Sequence, residues 1–168
     1  MYDSQTIIIM VLSVSLVGLI LYFFNTKKGA DVSPEKTLDT ASKNMQLQAY
    51  ERLILLVDRI QIPNLVSRLH VQNVSATEMQ ALLISHTKEE FDYNITQQLY
   101  VTPEIWDALK NFKDQNIYII NKVASNLPNT ASATDLNRVL LEFLMNDEKG
   151  NMASTLSKAL SHEAKKLL

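Results

Sequence analysis

Residues 102–128 read TPEIWDALKNFKDQNIYIINKVASNLP and carry the clearest helical pattern in the chain. Thr102 before Pro103 marks a helix start, because threonine can cap the first turn and proline suits the first helical position. Pro128 ends the pattern. One face collects large apolar residues and a single asparagine at intervals of three or four and their multiples: Ile105, Leu109, Phe112, Asn116, Ile119, Val123 and Leu127. This spacing predicts a long amphipathic helix that buries that face.

Two more helices are expected before this one. The first is predicted over residues 34–62, and Pro63 ends it or starts a short new turn. Its first part, 36–48, has few large apolar residues, so it fits either a stalk or part of the bundle. The capping-box sequence SATE at 75–78 opens the second helix, expected over 76–99. The predicted buried residues of this second helix are Ala81, Ile84, Phe91, Ile95 and Leu99, with Met79, Leu82 and Leu83 widening the stripe.

Two further helices are expected after it. Ser132 or Thr134 can cap a segment that ends before Gly150, and a last helix is predicted over 152–168. Their inward residues are predicted to be Leu136, Leu140 and Phe143 in the first and Met152, Leu156, Leu160 and Leu167 in the second. No stretch alternates polar and apolar residues long enough to indicate a strand, and no internal repeat is evident. The pattern predicts an all-α antiparallel helical bundle.

Composition excludes several classes of function. All 16 Lys and Arg lie at or after Lys27, whereas only Asp3 of the 18 acidic residues precedes it. The remainder of the chain is therefore nearly balanced in charge, which argues against a nucleic-acid-binding protein. The absence of cysteine excludes a disulfide framework, a thiol nucleophile and a thiolate metal site. With only 3 glycines, the chain has no glycine-rich phosphate loop.

The N-terminal segment 7–24, IIIMVLSVSLVGLILYFF, contains no charged residue. As a helix it would be about 27 Å long, close to the thickness of the bilayer's hydrocarbon core. A cleavable signal peptide is the competing interpretation, but such peptides begin with a basic region and end in a small-residue cleavage site. Here Asp3 precedes the apolar run, and Phe23, Phe24 and Asn25 follow it. We therefore predict a retained transmembrane helix in contact with the lipid bilayer.

The lysines near this segment indicate its direction. Lys27, Lys28 and two later lysines follow the apolar run and none precedes it, so the positive-inside rule places the N-terminus outside and the domain in the cytoplasm. The predicted organisation has four parts: a short extracytoplasmic N-terminus at 1–6, the transmembrane helix at 7–24, a linker at 25–33 and a cytoplasmic helical domain at 34–168.

His86 and Glu90 are the nearest approach to a chemical site. They stand one turn apart on a predicted helix and could share a face. A di-iron bundle needs several glutamates and Glu-x-x-His motifs from four helices, which the remaining histidines do not supply. We therefore favour a solvated polar face over a metal site. No Gly-x-Ser-x-Gly motif occurs either, and we predict a protein without enzymatic activity or cofactor.

Five residues are candidate contacts for a partner protein, since aromatic and arginine side chains dominate protein interfaces. These candidates are Tyr50, Arg52, Arg59, Tyr100 and Trp106. Other interpretations exist for most of them. The charges around Tyr50 and Arg59 also fit the salt-bridged edge of a core helix, and Trp106 fits a wider buried face, the interpretation that we prefer for it.

Two runs carry a family resemblance: LQAYERLILLVDRIQIPNLVSRLH at residues 47–70 and ITQQLYVTPEIWDALK at 95–110. With them, the chain resembles an uncharacterised family of small, single-span, membrane-anchored helical proteins from Bacteroidota. The LQAYERL segment is the most specific part of the resemblance. The resemblance implies one N-terminal span, a helical domain of unknown function and the bacterial inner membrane. It supplies no catalytic residues.

These patterns favour one hypothesis about function. The chain is expected to be a non-enzymatic accessory or scaffold subunit of an inner-membrane assembly, whose cytoplasmic helices bind a partner protein. The alternative is a membrane-tethered enzyme or metal-binding protein with a site near His86 and Glu90.

Overall fold

All the regular secondary structure that the computed structural model describes is helical. The described residues are 22, 34–69, 71, 73–146 and 152–168. Within these ranges there is no strand, so the prediction of an all-α protein is confirmed. The helices, with a 3-10 segment at Ile95–Leu99, are α1 Pro34–Ile60, α2 Ile62–Arg68, α3 Ala76–Tyr93, α4 Pro103–Ser125, α5 Ala133–Asn146 and α6 Met152–Lys165.

The chain divides into two compact units, Met1–Ala41 and Ser42–Leu168. Of the first, the structure describes Tyr22, which is helical and exposed, and residues 34–41 at the start of α1. All the packing below lies within the second unit, which contains a helical bundle.

Most of the predicted N-terminal organisation lies outside the described residues. This holds for the segment at 1–6, for the linker at 25–33 and, except for Tyr22, for the transmembrane helix at 7–24. Among the helices that the structure does describe, none has the length and apolar character needed to cross a membrane. The anchor therefore stays a prediction.

Helix α4 contributes to both apolar clusters of the second unit. Its first half packs with Phe91 and residues of α1 and α6, and its second half packs with residues of α2, α3 and α5. The predicted buried face is confirmed for Ile105, Leu109, Phe112, Asn116, Ile119 and Val123. Leu127, just beyond the helix, is half-buried. The segment with the clearest pattern thus contributes to both clusters, as does α3.

The break between α1 and α2 follows from Pro63, which lacks a backbone N–H and stands in the first turn of α2. The prediction that this proline starts a short new turn is confirmed. The N–H of Asn64 donates to the carbonyl of Gln61, not to that of Ile60 as in a continuous helix. The last carbonyls of α1 therefore need other donors. Three side chains donate to these carbonyls, each at a distance of 2.9 Å: Asn64 to Asp58, Arg68 to Arg59 and Asn116 to Ile60.

Helix α3 is shorter than the sequence predicts. It ends at Tyr93 rather than at Leu99, and the 3-10 segment Ile95–Leu99 follows. At the junction, the side-chain amide of Asn94 donates to the carbonyl of Glu90 at 2.9 Å. Because this amide offers the helix end an alternative donor, the helix can stop there without leaving that carbonyl unpaired.

The buried face of α3 also differs from the prediction. Ala81, Ile95 and Leu99 were expected inside but are exposed. The residues that are buried are Ala76, Met79, Leu83, Thr87 and Phe91. Thr87 explains part of the error, because a polar residue at a core position breaks the apolar pattern, whereas Ile95 and Leu99 lie beyond the end of the helix. Its hydroxyl donates to the carbonyl of Leu83 at 2.8 Å, which satisfies it inside the core.

The loops that precede α3 and α5 pair with each other. Ser75 and Ser132 form an isolated antiparallel bridge. Two backbone hydrogen bonds flank it, from the Ala76 N–H to the Ala131 oxygen at 2.9 Å and from the Ala133 N–H to the Val74 oxygen at 3.0 Å. The paired segments have similar sequences, SATE at 75–78 and SATD at 132–135. The bridge therefore joins two segments with similar capping sequences.

Each of these two segments caps a helix. The hydroxyl of Ser75 accepts from the N–H of Glu78 at 3.2 Å, and the Glu78 carboxylate accepts from the N–H of Ser75 at 2.8 Å. Ser132 and Asp135 make the same pair of bonds at 3.2 and 3.0 Å. Hydrogen bonds from the serines hold the pKa of both acids below their ordinary values.

Ser75→Ala is expected to lower the free energy of unfolding by about 1 kcal/mol, because it removes the acceptor for an N–H in the first turn of α3. Urea denaturation measures this. The matched control is Thr77→Ala, an exposed position in the same turn without a capping bond. Equal losses for the two variants would contradict the role of the cap.

Candidate functional site

The best candidate site is an open groove between α1 and α3, with a volume of about 570 Å³. We call it the α1–α3 groove. Its walls are Arg52, Leu55, Leu56 and Arg59 from α1, His86, Glu89, Glu90 and Tyr93 from α3, and Asn94 at the end of α3. Leu56 is buried and belongs to the core, whereas Leu55 and Tyr93 are 61% and 75% exposed. The groove therefore combines an apolar surface with charged walls.

Glu90 joins the two walls. Its carboxylate accepts a hydrogen bond from Nε of Arg59 at 2.8 Å and a second one from Nη2 of the same guanidinium. Nη1 of Arg68 donates to it at 3.3 Å. Hydrogen bonds from Arg59 lower the pKa of Glu90, and Glu90 in turn raises the pKa of Arg59. Such a two-point contact between a fork of N–H groups and a carboxylate fixes both orientation and spacing.

Glu90→Gln is expected to lower the free energy of unfolding at neutral pH by about 1 kcal/mol, because a neutral amide loses the charge-assisted bonds. The pKa of Glu90 is below its ordinary value of 4.5 in the folded protein. The contribution of the carboxylate is therefore complete above that value and is lost as the pH falls through the lower, folded-state pKa. The difference between wild type and variant should shrink in acid.

Urea denaturation at neutral pH and at successively lower pH tests this expectation. The control is Glu89→Gln at the neighbouring, exposed carboxylate, for which a smaller loss of stability at neutral pH is expected. A gap between wild type and Glu90→Gln that stays constant down to about pH 3 would contradict it.

His86 and Glu90, which the sequence places one turn apart on a helix, are not paired with each other in the structure. Both residues line the α1–α3 groove, but the carboxylate of Glu90 is bound by Arg59 and Arg68. His86 has Nδ1 3.7 Å from Oε2 of Glu89 instead. Among the residues that the structure describes, no group of three or more histidine or carboxylate side chains is placed to hold a metal ion. His70 lies outside the described residues.

Arg52 lies at one end of the groove. Its guanidinium carbon is 5.6 Å from the centroid of the Tyr93 ring, a cation–π contact that spans the two walls. Within the described part of the chain, Arg52 has no carboxylate partner. One end of the groove thus presents a positive charge on an exposed aromatic ring.

The five candidate contact residues fall in different environments. Arg52 and Arg59 lie together in the α1–α3 groove. Tyr50 is 4% exposed and Trp106 is 8% exposed, and both belong to the cluster around α4. The preference for a buried Trp106 is confirmed, and its ring lies 5.1 Å from that of Phe91. Tyr100 is at the surface after the 3-10 segment and does not line the groove.

Leu55 and Tyr93 are groove residues that the sequence analysis missed. A signal for the first exists, because Arg52, Leu55 and Arg59 are spaced by three and four residues on an exposed side of α1, beside its buried residues. An apolar residue between two arginines on a polar face is the pattern to look for. No comparable signal marks Tyr93. It is the last residue of α3, and the sequence does not predict that the helix ends there.

A family model described as a family of unknown function (DUF7935) matches residues 3–167. No curated protein and no solved structure matches the chain. The family match covers nearly all of the sequence, including both walls of the α1–α3 groove, and it confirms the expected membership of an uncharacterised family. The chain belongs to the family of unknown function DUF7935.

Proposed function

We propose that the protein is a non-enzymatic accessory or scaffold subunit of a bacterial inner-membrane assembly, which binds a partner protein through its helical domain. The observation that carries this proposal is the α1–α3 groove. Its exposed apolar side chains, Leu55 and Tyr93, lie beside the guanidinium of Arg52. Aromatic and arginine side chains around an apolar centre are typical of residues that dominate protein interfaces.

The groove supports binding better than it supports the rival, a membrane-tethered enzyme or metal-binding protein. That rival needs the carboxylate of Glu90 as a ligand or as a proton acceptor. Two guanidiniums already bind its oxygens, so a metal ion would have to displace them. Its lowered pKa also makes it a weaker proton acceptor. Partner binding makes no such demand on it.

The membrane part of the proposal rests on the sequence. The uncharged run at 7–24 is long enough to cross a bilayer, and the family resemblance implies the inner membrane of a bacterium of the Bacteroidota. The lysines that follow the run favour an outside N-terminus and a cytoplasmic domain. Protease added to intact spheroplasts tests this orientation. Digestion of the helical domain without lysis would contradict it, whereas protection until lysis supports it.

Co-purification from native membranes in mild detergent tests the binding function. We expect a partner in constant ratio to the tagged full chain, and we expect Arg52→Glu to lose it because the substitution reverses the charge at one end of the groove. Lys158→Glu is the matched control, since it makes the same charge change on an exposed position of α6. A monomer carrying a stoichiometric transition metal would favour the rival and contradict the proposal.

A further inference from the structure

We propose that the α1–α3 groove receives an amphipathic helix of the partner that carries two carboxylates about two turns apart with an apolar residue between them. This inference rests on the proposed function and specifies the chemistry of the partner. The groove lies between two helices and offers no sheet edge, so an occupant that satisfies its own backbone hydrogen bonds suits it best.

The charges in and beside the groove favour carboxylates on the partner. The guanidiniums of Arg52 and Arg59 and the carboxylates of Glu89 and Glu90 line the groove, and Arg68, which is outside the lining, also binds Glu90. Arg59 and Arg68 share Glu90 between them. Arg52 contacts the Tyr93 ring but no carboxylate among the described residues. An acidic partner residue would supply the negative charge to pair with the guanidinium of Arg52.

Arg59 offers a second point of attachment. It binds Glu90 through Nε and Nη2, which leaves Nη1 without a hydrogen bond to any residue the structure describes. The Arg59 side chain is 51% exposed, so this N–H group can reach a ligand in the groove. The two arginines therefore present two donor sites along one wall.

The spacing of these sites selects a helix. Arg52 and Arg59 are seven residues apart on α1, which corresponds to about 10 Å along the helix axis. Acidic residues at positions i and i+7 of an adjacent helix have the same separation. Leu55 lies between the two arginines and is exposed, so it can meet an apolar partner residue at i+3 or i+4.

Photo-crosslinking in native membranes tests the inference with the full-length chain. The photoreactive residue p-benzoylphenylalanine replaces Leu55, and a control chain carries it at the exposed position 154 of α6. We expect position 55 to crosslink to a segment of the partner with acidic residues at i and i+7, identified by peptide mass spectrometry. Arg52→Glu should reduce the yield by about tenfold, and arginine in place of the facing partner carboxylate should restore it.

The outcomes separate this inference from the proposed function. If the partner co-purifies but position 55 crosslinks to a basic or uncharged segment, to a second copy of this chain, to phospholipid or to nothing, the inference is overturned and the proposed function stands. If charge reversal at Arg52 leaves the yield unchanged, the inference is also overturned. If no partner co-purifies at all, the proposed function itself fails.

Discussion

Leu140→Ala should lower the free energy of unfolding by about 3–5 kcal/mol, the largest loss that we expect from a single substitution in this domain. Leu140 is fully buried in the cluster that α5 forms with α2, α3 and the second half of α4. Removing its isobutyl group loses the transfer free energy of the side chain and leaves a cavity, because the helices around it are fixed by their other contacts. Urea denaturation of the purified full-length chain measures the effect.

The neighbouring leucine provides the control for this experiment. Leu141 is on the same helix and is 37% exposed. Leu141→Ala should therefore change the free energy of unfolding by less than about 1 kcal/mol, since alanine is also a good helix former. Similar losses at both positions would show that the packing of α5 differs from the one described.

Asn116→Ala is expected to cost about 2–3 kcal/mol, although it removes only one amide group. The Asn116 amide donates to the carbonyl of Ile60, the last residue of α1, and both groups are buried. Pro63 has no N–H and the N–H of Asn64 donates to Gln61, so no backbone N–H replaces the lost donor. The carbonyl would stay buried without a partner, which costs more than the hydrogen bond itself contributed.

Asn111→Ala on the exposed side of the same helix is the matched control, with an expected change of at most about 0.5 kcal/mol. A more informative variant is Asn116→Leu, which fills the space but supplies no donor. If Asn116→Leu were as stable as wild type in urea, the carbonyl of Ile60 would not depend on this amide, and the explanation would be wrong.

Much of the helical architecture could be predicted from local signals. The starts of α3, α4 and α5 carry N-cap residues, and the capping hydrogen bonds form between residues three apart in the chain. The face of α4 is predictable for the same reason, since its apolar residues keep a helical period over six turns. In each case the information lies within a few residues of the feature that it determines.

The errors arose where tertiary contacts override local pattern. Thr87 is buried, with its hydroxyl satisfied within the helix by Leu83, whereas Leu99 is 77% exposed although its type favours the core. Neither outcome is visible in the spacing of apolar residues. The end of α3 at Tyr93 is not visible in the local sequence either, because the residues that follow would be tolerated in a helix.

The candidate site was predictable only in part. Arg52 and Arg59 were identified by residue type, but the contact that organises the groove joins Arg59 to Glu90, 31 residues later. A single sequence does not show which of its many charged residues will pair across such a distance. Tyr50 and Trp106 were chosen because aromatic residues are common in protein interfaces. They lie in the core, where aromatic residues are also common.

The bridge between Ser75 and Ser132 has an electrostatic consequence. It brings together the N-terminal ends of α3 and α5, and each end carries roughly half a positive charge from its aligned peptide dipoles. Two such ends side by side repel each other unless an anion lies on each. Glu78 and Asp135 meet this requirement. The two acids therefore act as one unit, because a cation at either position would disturb the helix that starts there and its neighbour as well.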